Sequence, residues 1–112
     1  MTSEEINLFR FAIAVAAVCM EDERPPAAEM TQERACEYIS GILEMALAHT
    51  GVTFKAYPMQ YPKCSKIPII ISFDRIGKKL FWFYPDSDIS SIAEDLLSVV
   101  QDPLQCAMRV TA

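Results

Sequence analysis

Two runs of apolar residues, 67–73 and 80–84, constrain the fold of this chain more than any other feature. Isoleucine dominates the first run and aromatic residues dominate the second, and both types favour β-strands. The segment 74–79 between them contains Gly77, which can adopt the positive φ angle that a tight turn needs. The two runs therefore predict a β-hairpin. Pro68 has no amide hydrogen to donate, so the first strand should begin there or leave that side unpaired.

Both faces of this hairpin are apolar, because side chains alternate between the two faces along a strand. Ile67, Ile69, Ile71 and Phe73 share one face and Ile70 lies on the other, while Leu80, Trp82 and Tyr84 oppose Phe81 and Phe83. An antiparallel sheet with one wet face would alternate apolar and polar residues. We therefore expect either helices on both faces of the sheet or a second subunit against one of them.

Helical spacing of apolar residues predicts three helices around the hairpin. The first covers residues 6–20, behind a capping box formed by Thr2 and Glu5. The second starts at Ala27 or Thr31 and ends at His49, with Gly51 in the C-terminal cap position. The third covers residues 88–101 and ends before Pro103, after which residues 104–108 add at most one short turn.

Residues 52–57 alternate apolar and polar side chains and predict one more strand. The order helix, helix, three strands, helix indicates an α+β fold, ααβββα, in which helices pack on a three-stranded antiparallel meander. A chain of 112 residues, 52% hydrophobic, is too apolar for a disordered protein and forms one domain over residues 1–112.

The first helix is apolar on nearly every side. One stripe consists of Phe9, Ile13, Ala16 and Met20, and a second consists of Leu8, Phe11, Val15 and Val18. A helix of this kind is buried on more than one side, and a small domain buries the smallest fraction of its surface. Together with the two apolar sheet faces, this predicts self-association or a permanent partner.

The cellular compartment is predicted from the lack of a membrane span, a signal peptide and a C-x-x-C pair in the sequence. The longest apolar run, residues 11–20, is half the length of a membrane span, and no basic segment of a signal peptide precedes it. The four cysteines contain no C-x-x-C pair, which argues against a zinc site. They could form two disulfides, but an apolar-rich chain without a secretion signal favours reduced thiols. We therefore expect a cytoplasmic protein with no membrane partner.

Charge divides the chain of net charge −5 into a basic centre and acidic flanks. Residues 51–84 carry a net +5, whereas residues 1–50 and 85–112 carry −6 and −4. Lysines interleaved with aromatic rings are typical of single-strand nucleic-acid platforms, so a nucleic-acid-binding module using segment 55–84 is the alternative hypothesis. Aromatic rings packed in a core, and lysines flanking an ordinary turn, would give the same pattern. A basic hairpin end that faces an acidic partner, or the chain's own acidic helices, is the interpretation we favour.

Little in the sequence indicates catalysis. It contains no glycine-rich phosphate loop, no G-x-S-x-G elbow and no H-E-x-x-H motif. Asp86 and Asp88 could ligate a divalent cation for a hydrolase, but aspartate is also a favoured N-cap residue. The single histidine, His49, suits a helix C-terminus. We therefore expect no enzymatic activity, no metal and no cofactor.

These observations predict a small acidic factor that binds another protein, as an adaptor, an inhibitor or a chaperone-like factor, and that forms a homodimer. The expected contact residues are the faces of the hairpin, its tip and the second stripe of the first helix: Ile70, Phe81, Phe83, Trp82, Arg75, Lys78, Lys79, Phe11 and Val15.

Overall fold

The computed structural model describes residues 3–48, 50–59 and 66–111, and it confirms the α+β fold with the order ααβββα. Two short 3-10 turns, Glu21–Glu23 and Ala27–Glu29, connect the first two helices. The helices and strands are α1 (Ser3–Cys19), α2 (Gln32–Ala46), β1 (Phe54–Pro58), β2 (Ile67–Phe73), β3 (Gly77–Phe83) and α3 (Ile89–Thr111).

The three strands form an antiparallel sheet in the order β1-β2-β3, so β2 is central. Ile69 pairs with Phe81 and Ile71 with Ala56, which places these side chains on one face. We call this the inner face, because every strand residue of the hydrophobic core belongs to it. Ile70 pairs with Tyr57 and Leu80 on the opposite, outer face, as the predicted alternation requires.

The helices form the rest of the core on the inner side of the sheet. α2 packs against β1 and β2, α3 packs against β3, and α1 packs mainly against α2 and α3. Ile13, Ala16 and Ala17 are the buried residues of α1. Of the two arrangements expected for the sheet, helices on both faces is therefore wrong for the described residues, because the helices pack on the inner face and only Pro68 is fully buried among the described residues of the opposite face.

The structure decides where α2 begins and corrects where it ends. Thr31 is the N-cap, since its Oγ1 accepts a hydrogen bond from the Arg34 amide at 3.1 Å. The helix ends at Ala46, before the predicted end at His49, which lies outside the described residues, as does Thr2 of the predicted capping box. Thr50 Oγ1 donates to the carbonyl of Leu47 at 2.8 Å and so replaces the predicted cap. Gly51, with φ +76°, instead serves the turn into β1.

The hairpin turn is shorter than predicted, and α3 is longer. β3 begins at Gly77, whose φ of +139° confirms the expected positive angle. The predicted end of α3 before Pro103 is wrong, because the helix continues to Thr111. A proline inside a helix removes one backbone hydrogen bond. Pro103 is buried, and together with Ile76 of the hairpin turn it lines a cavity of about 230 Å³.

Pro68 lies inside the central strand and not at its start. Its carbonyl accepts a hydrogen bond from the Met59 amide at 3.3 Å. In a hydrogen-bonded antiparallel pair, each residue normally donates its amide hydrogen to the carbonyl of the other. Pro68 has no amide hydrogen and cannot donate to the Met59 carbonyl. The Met59 carbonyl instead accepts from Gln32 Nε2 at 3.0 Å, so a side chain of α2 completes the ladder.

Candidate partner-binding surfaces

The first candidate surface is the second apolar stripe of α1, which faces solvent. Leu8, Phe11, Val15 and Val18, the α1 stripe, are between 42% and 69% exposed. The opposite side of the same helix carries Ile13, Ala16 and Ala17, which are buried in the core. α1 therefore has two apolar sides, one buried in the core and one exposed to solvent.

The spacing and flanks of the α1 stripe suit contact with another helix. Its residues are three, four and three positions apart, which is the a/d spacing of a coiled-coil seam. Ala12 and Ala14 flank the stripe, and small flanking residues allow two helices to approach closely. Arg10 is the only charged residue between positions 6 and 20, and its Nε lies 3.0 Å from Glu94 Oε1 of α3. That ion pair directs the Arg10 guanidinium towards α3 of the same chain.

The second candidate surface is the outer sheet face, which the strand register arranges in rows. Lys55, Ser72 and Lys78 lie side by side across the three strands, and Tyr57, Ile70 and Leu80 form the next row. A third row consists of Met59, Pro68 and Trp82, in which the Pro68 side chain is fully buried. Lys66 precedes β2 at the end beyond this row. Two apolar rows therefore lie between basic ends, and these rows contain no acidic residue.

Two lysines of the outer sheet face lie over aromatic rings. Lys66 Nζ is 4.4 Å from the centroid of the Trp82 ring, and Lys78 Nζ is 5.8 Å from that of Tyr57. An ammonium group within about 6 Å of a ring centroid is attracted by the ring's quadrupole. These contacts hold the ammonium groups of Lys66 and Lys78 close to the apolar rows. Leu80, in one of these rows, is 44% exposed.

The structure places five of the nine predicted contact residues on these two surfaces. Phe11 and Val15 lie in the α1 stripe, whereas Ile70, Trp82 and Lys78 lie on the outer sheet face. Phe81 and Phe83 were expected to contact a partner, but they are only 3% and 1% exposed. They face the inner side, where Phe83 packs 6.0 Å from the Tyr38 ring, so this assignment is wrong.

The two remaining residues lie at the hairpin tip, away from the apolar rows. Arg75 is exposed in the turn with φ +65°. Lys79 lies on the inner side of the sheet, since it pairs with Ile71, and its Nζ is 3.7 Å from Asp102 Oδ2 of α3. Neither side chain belongs to the outer sheet face.

The aspartates considered as metal ligands have a structural explanation. Asp88 Oδ1 accepts a hydrogen bond from the Ser91 amide at 2.7 Å, which makes Asp88 the N-cap of α3. The same bond lowers the pKa of the Asp88 carboxyl. Among the described residues, no group of three or more His, Cys, Asp or Glu side chains could hold a metal ion.

A groove of about 370 Å³ between α2 and β1 carries negative charge around a thiol. Glu33, Glu37 and Glu44 line it together with Cys36. Burial raises the pKa of the Cys36 thiol, and the charge of Glu37 raises it further. A thiol kept protonated in this way is a poor nucleophile and a poor metal ligand. The raised pKa therefore argues against Cys36 as a nucleophile or metal ligand.

Sequence reasoning missed several residues of the two surfaces. Leu8 and Val18 lie in the same predicted stripe as Phe11 but are absent from the expected contact residues, although their a/d spacing makes them equivalent to Phe11 and Val15. Tyr57, Lys55 and Leu80 could be assigned only with the strand register, because β1 and β3 are far apart in sequence.

Comparisons with protein-family models, with curated proteins and with solved structures find no significant match to this chain. Within the described residues, no helix combines the length and the apolar character that a membrane span requires.

Proposed function

We propose that this protein binds other proteins and that two copies associate through the α1 stripe. The carrying observation is that an apolar stripe with coiled-coil spacing faces solvent on a helix whose other side is in the core. Adaptors, inhibitors and chaperone-like factors all act through surfaces of this kind. The proposal is one of binding and involves no catalytic step.

The size of the α1 stripe indicates how strong the dimer is. Its four side chains expose roughly 400 Å² of apolar surface, a patch of the size that is often functional on a monomer. Stable dimers bury about 800 Å² on each partner, so flanking residues such as Ala12, Ala14 and Cys19 must join the contact. An interface near the lower end of the size range of stable protein–protein interfaces implies a reversible dimer.

We also propose that the protein acts in the cytoplasm. Cys19 and Cys36 are free thiols, and Cys19 is exposed to solvent. Free exposed thiols persist in a reducing compartment, where disulfides are rare.

Sedimentation velocity over a concentration series tests the dimer. We expect the wild-type chain to approach twice its 12.6 kDa mass as its concentration rises. The double substitution Phe11→Glu with Val15→Glu places charges in the stripe and should leave a folded monomer, since both positions are exposed. Leu80→Glu is the matched control, because it puts the same charge on an exposed apolar residue of the outer sheet face.

Two results would contradict this proposal. One is a wild-type chain that stays at 12.6 kDa at the highest soluble concentration. The other is a dimer that the Phe11→Glu and Val15→Glu substitutions leave intact, particularly one that Leu80→Glu dissociates. That second pattern would assign the dimer contact to the outer sheet face.

A further inference from the structure

We infer that the outer sheet face binds an amphipathic helix of a partner protein with apolar residues in its middle and acidic residues at both ends. This rests on the proposed protein-binding function, although it does not depend on the homodimer. α1 packs mainly against α2 and α3, so the α1 stripe and the outer sheet face are separate surfaces.

The order of the rows gives the chemistry of the ligand. Lys55 and Lys78 flank Ser72 at one end, and Lys66 lies over Trp82 at the other. The apolar rows between them carry Tyr57, Ile70 and Leu80, then Met59 and Trp82 on either side of the buried Pro68. A ligand that covers this face must offer apolar contacts in its middle and negative charge at its ends.

The dimensions of the face match one helix. Three strands spaced about 4.8 Å apart are about 10 Å across, which is close to the diameter of an α-helix. The basic row and Lys66 are three rows apart, or about 20 Å at about 3.3 Å per residue, which a helix covers in about 13 residues. Acidic residues about 13 positions apart, with apolar residues at helical spacing between them, therefore fit the charges and the apolar rows together.

The chain already uses this arrangement on its inner face. There α2 and α3 lie on the same three strands, and Asp102 of α3 pairs with Lys79 of β3 at 3.7 Å. Helices that bury an apolar side on a sheet and turn acidic residues to its lysines are thus a packing that this sheet supports. A bound acidic helix would make the outer side resemble the inner one.

The contacts of the lysines favour an acidic helix over single-stranded nucleic acid. Base stacking needs open ring faces, but Lys66 covers Trp82 and Lys78 approaches the Tyr57 ring. Ile70 and Leu80, in the middle of the face, are aliphatic and offer no ring for stacking. The net charge of −5 also repels a phosphate backbone, whereas a short helix with apolar contacts experiences less of this repulsion.

Trp82 is the only tryptophan of the chain, so its fluorescence reports directly on this face. The probe is a labelled designed helical peptide with leucines at helical spacing and glutamates 13 positions apart. A matched peptide carries lysines in place of the glutamates, and oligothymidylate of similar length tests nucleic acid. With the glutamate peptide we expect rising anisotropy of the label and a blue shift of Trp82 emission. With the lysine peptide we expect neither.

Variants of the face separate this inference from the dimer proposal. The double substitution Lys55→Glu with Lys78→Glu should weaken binding of the glutamate peptide about ten-fold or more, as should Leu80→Glu. The Phe11→Glu and Val15→Glu variant should bind the peptide as the wild type does. A monomeric wild-type chain that binds the peptide would refute the homodimer alone and support the helix site.

Three outcomes would overturn the inference. The first is equal binding of the glutamate and lysine peptides. The second is peptide binding that Leu80→Glu and the lysine substitutions leave unchanged. The third is quenching of Trp82 by oligothymidylate without binding of the glutamate peptide, which would identify the face as a nucleic-acid platform.

Discussion

Arg24 joins two loops that are far apart in sequence. Its Nη2 donates hydrogen bonds to the carbonyls of Pro85 and Ser87, the latter at 2.6 Å, and its Nη1 lies 4.0 Å from Glu21 Oε2. The side chain is only 14% exposed, so water competes little for these bonds. One guanidinium therefore fixes the segment between α1 and α2 against the segment between β3 and α3.

Arg24→Ala is therefore expected to lower the free energy of unfolding by about 2 kcal/mol, because bonds from a charged donor to partly buried carbonyls are lost. Arg34→Ala is the matched control, since Arg34 is 54% exposed and its Nη1 lies 3.6 Å from Glu29. An exposed pair contributes less than about 1 kcal/mol. Urea denaturation of both variants measures the difference, and equal losses would refute the role given to Arg24.

The N-cap of α3 makes part of the stability depend on pH. The hydrogen bond from the Ser91 amide lowers the pKa of Asp88 in the folded state. The contribution of this hydrogen bond to stability is therefore fully present above the unfolded pKa of about 3.9. It is lost as the pH falls through the lower folded pKa. Asp88→Ala should lower the melting temperature at neutral pH, and the difference from wild type should shrink as the pH falls below the unfolded pKa of about 3.9 and through the lower folded pKa.

Thermal melting at several pH values checks this expectation. Asp88→Asn should keep the cap and lose the pH dependence, because asparagine caps helices without titrating. Asp86→Ala removes an exposed carboxylate two residues earlier that does not cap the helix, and it serves as the control. A constant difference between Asp88→Ala and wild type across the whole pH range would contradict the assignment.

At the scale of the elements, Gln32 connects α2 to the sheet at the position where proline interrupts the ladder. Gln32→Ala should lower the free energy of unfolding by about 0.5–1 kcal/mol, because the Met59 carbonyl loses its donor. A Pro68→Val background restores an amide hydrogen at this position, and there the same substitution should have almost no effect. A double-mutant cycle by urea denaturation measures this coupling, and equal effects in both backgrounds would contradict it.

At the scale of the whole molecule, the two proposed surfaces differ in their response to salt. The ends of the α1 stripe lie near acidic residues, Glu4 and Glu5 at one end and Glu21–Glu23 at the other. Two copies of a chain with net charge −5 repel each other, and salt screens that repulsion. Raising the salt from about 0.05 M to about 0.5 M should therefore strengthen the dimer in sedimentation experiments and weaken binding of the glutamate peptide.

The contrast between the two responses is the informative quantity. A dimer that weakens with salt would indicate attraction between the basic sheet of one copy and the acidic helices of another. That result would refute association through the apolar α1 stripe.

Local pattern by itself determined the element order and the sides of each strand. The bounds of β2 agree with the apolar run 67–73, and Gly77 has the positive φ angle expected of it. These features follow from side-chain alternation and backbone sterics, which act between neighbours in sequence.

Only the tertiary structure decided which apolar surfaces are buried. Both stripes of α1 and both faces of the hairpin are apolar, so periodicity cannot tell which of each pair the helices cover. Packing against α2 and α3 selects the side with Ile13 in α1 and the side with Phe81 and Phe83 in the sheet. The continuation of α3 through Pro103 and the contacts of Arg24 likewise depend on residues far away in sequence. Burial is a property of the whole arrangement, because a side chain leaves water only when a distant element covers it.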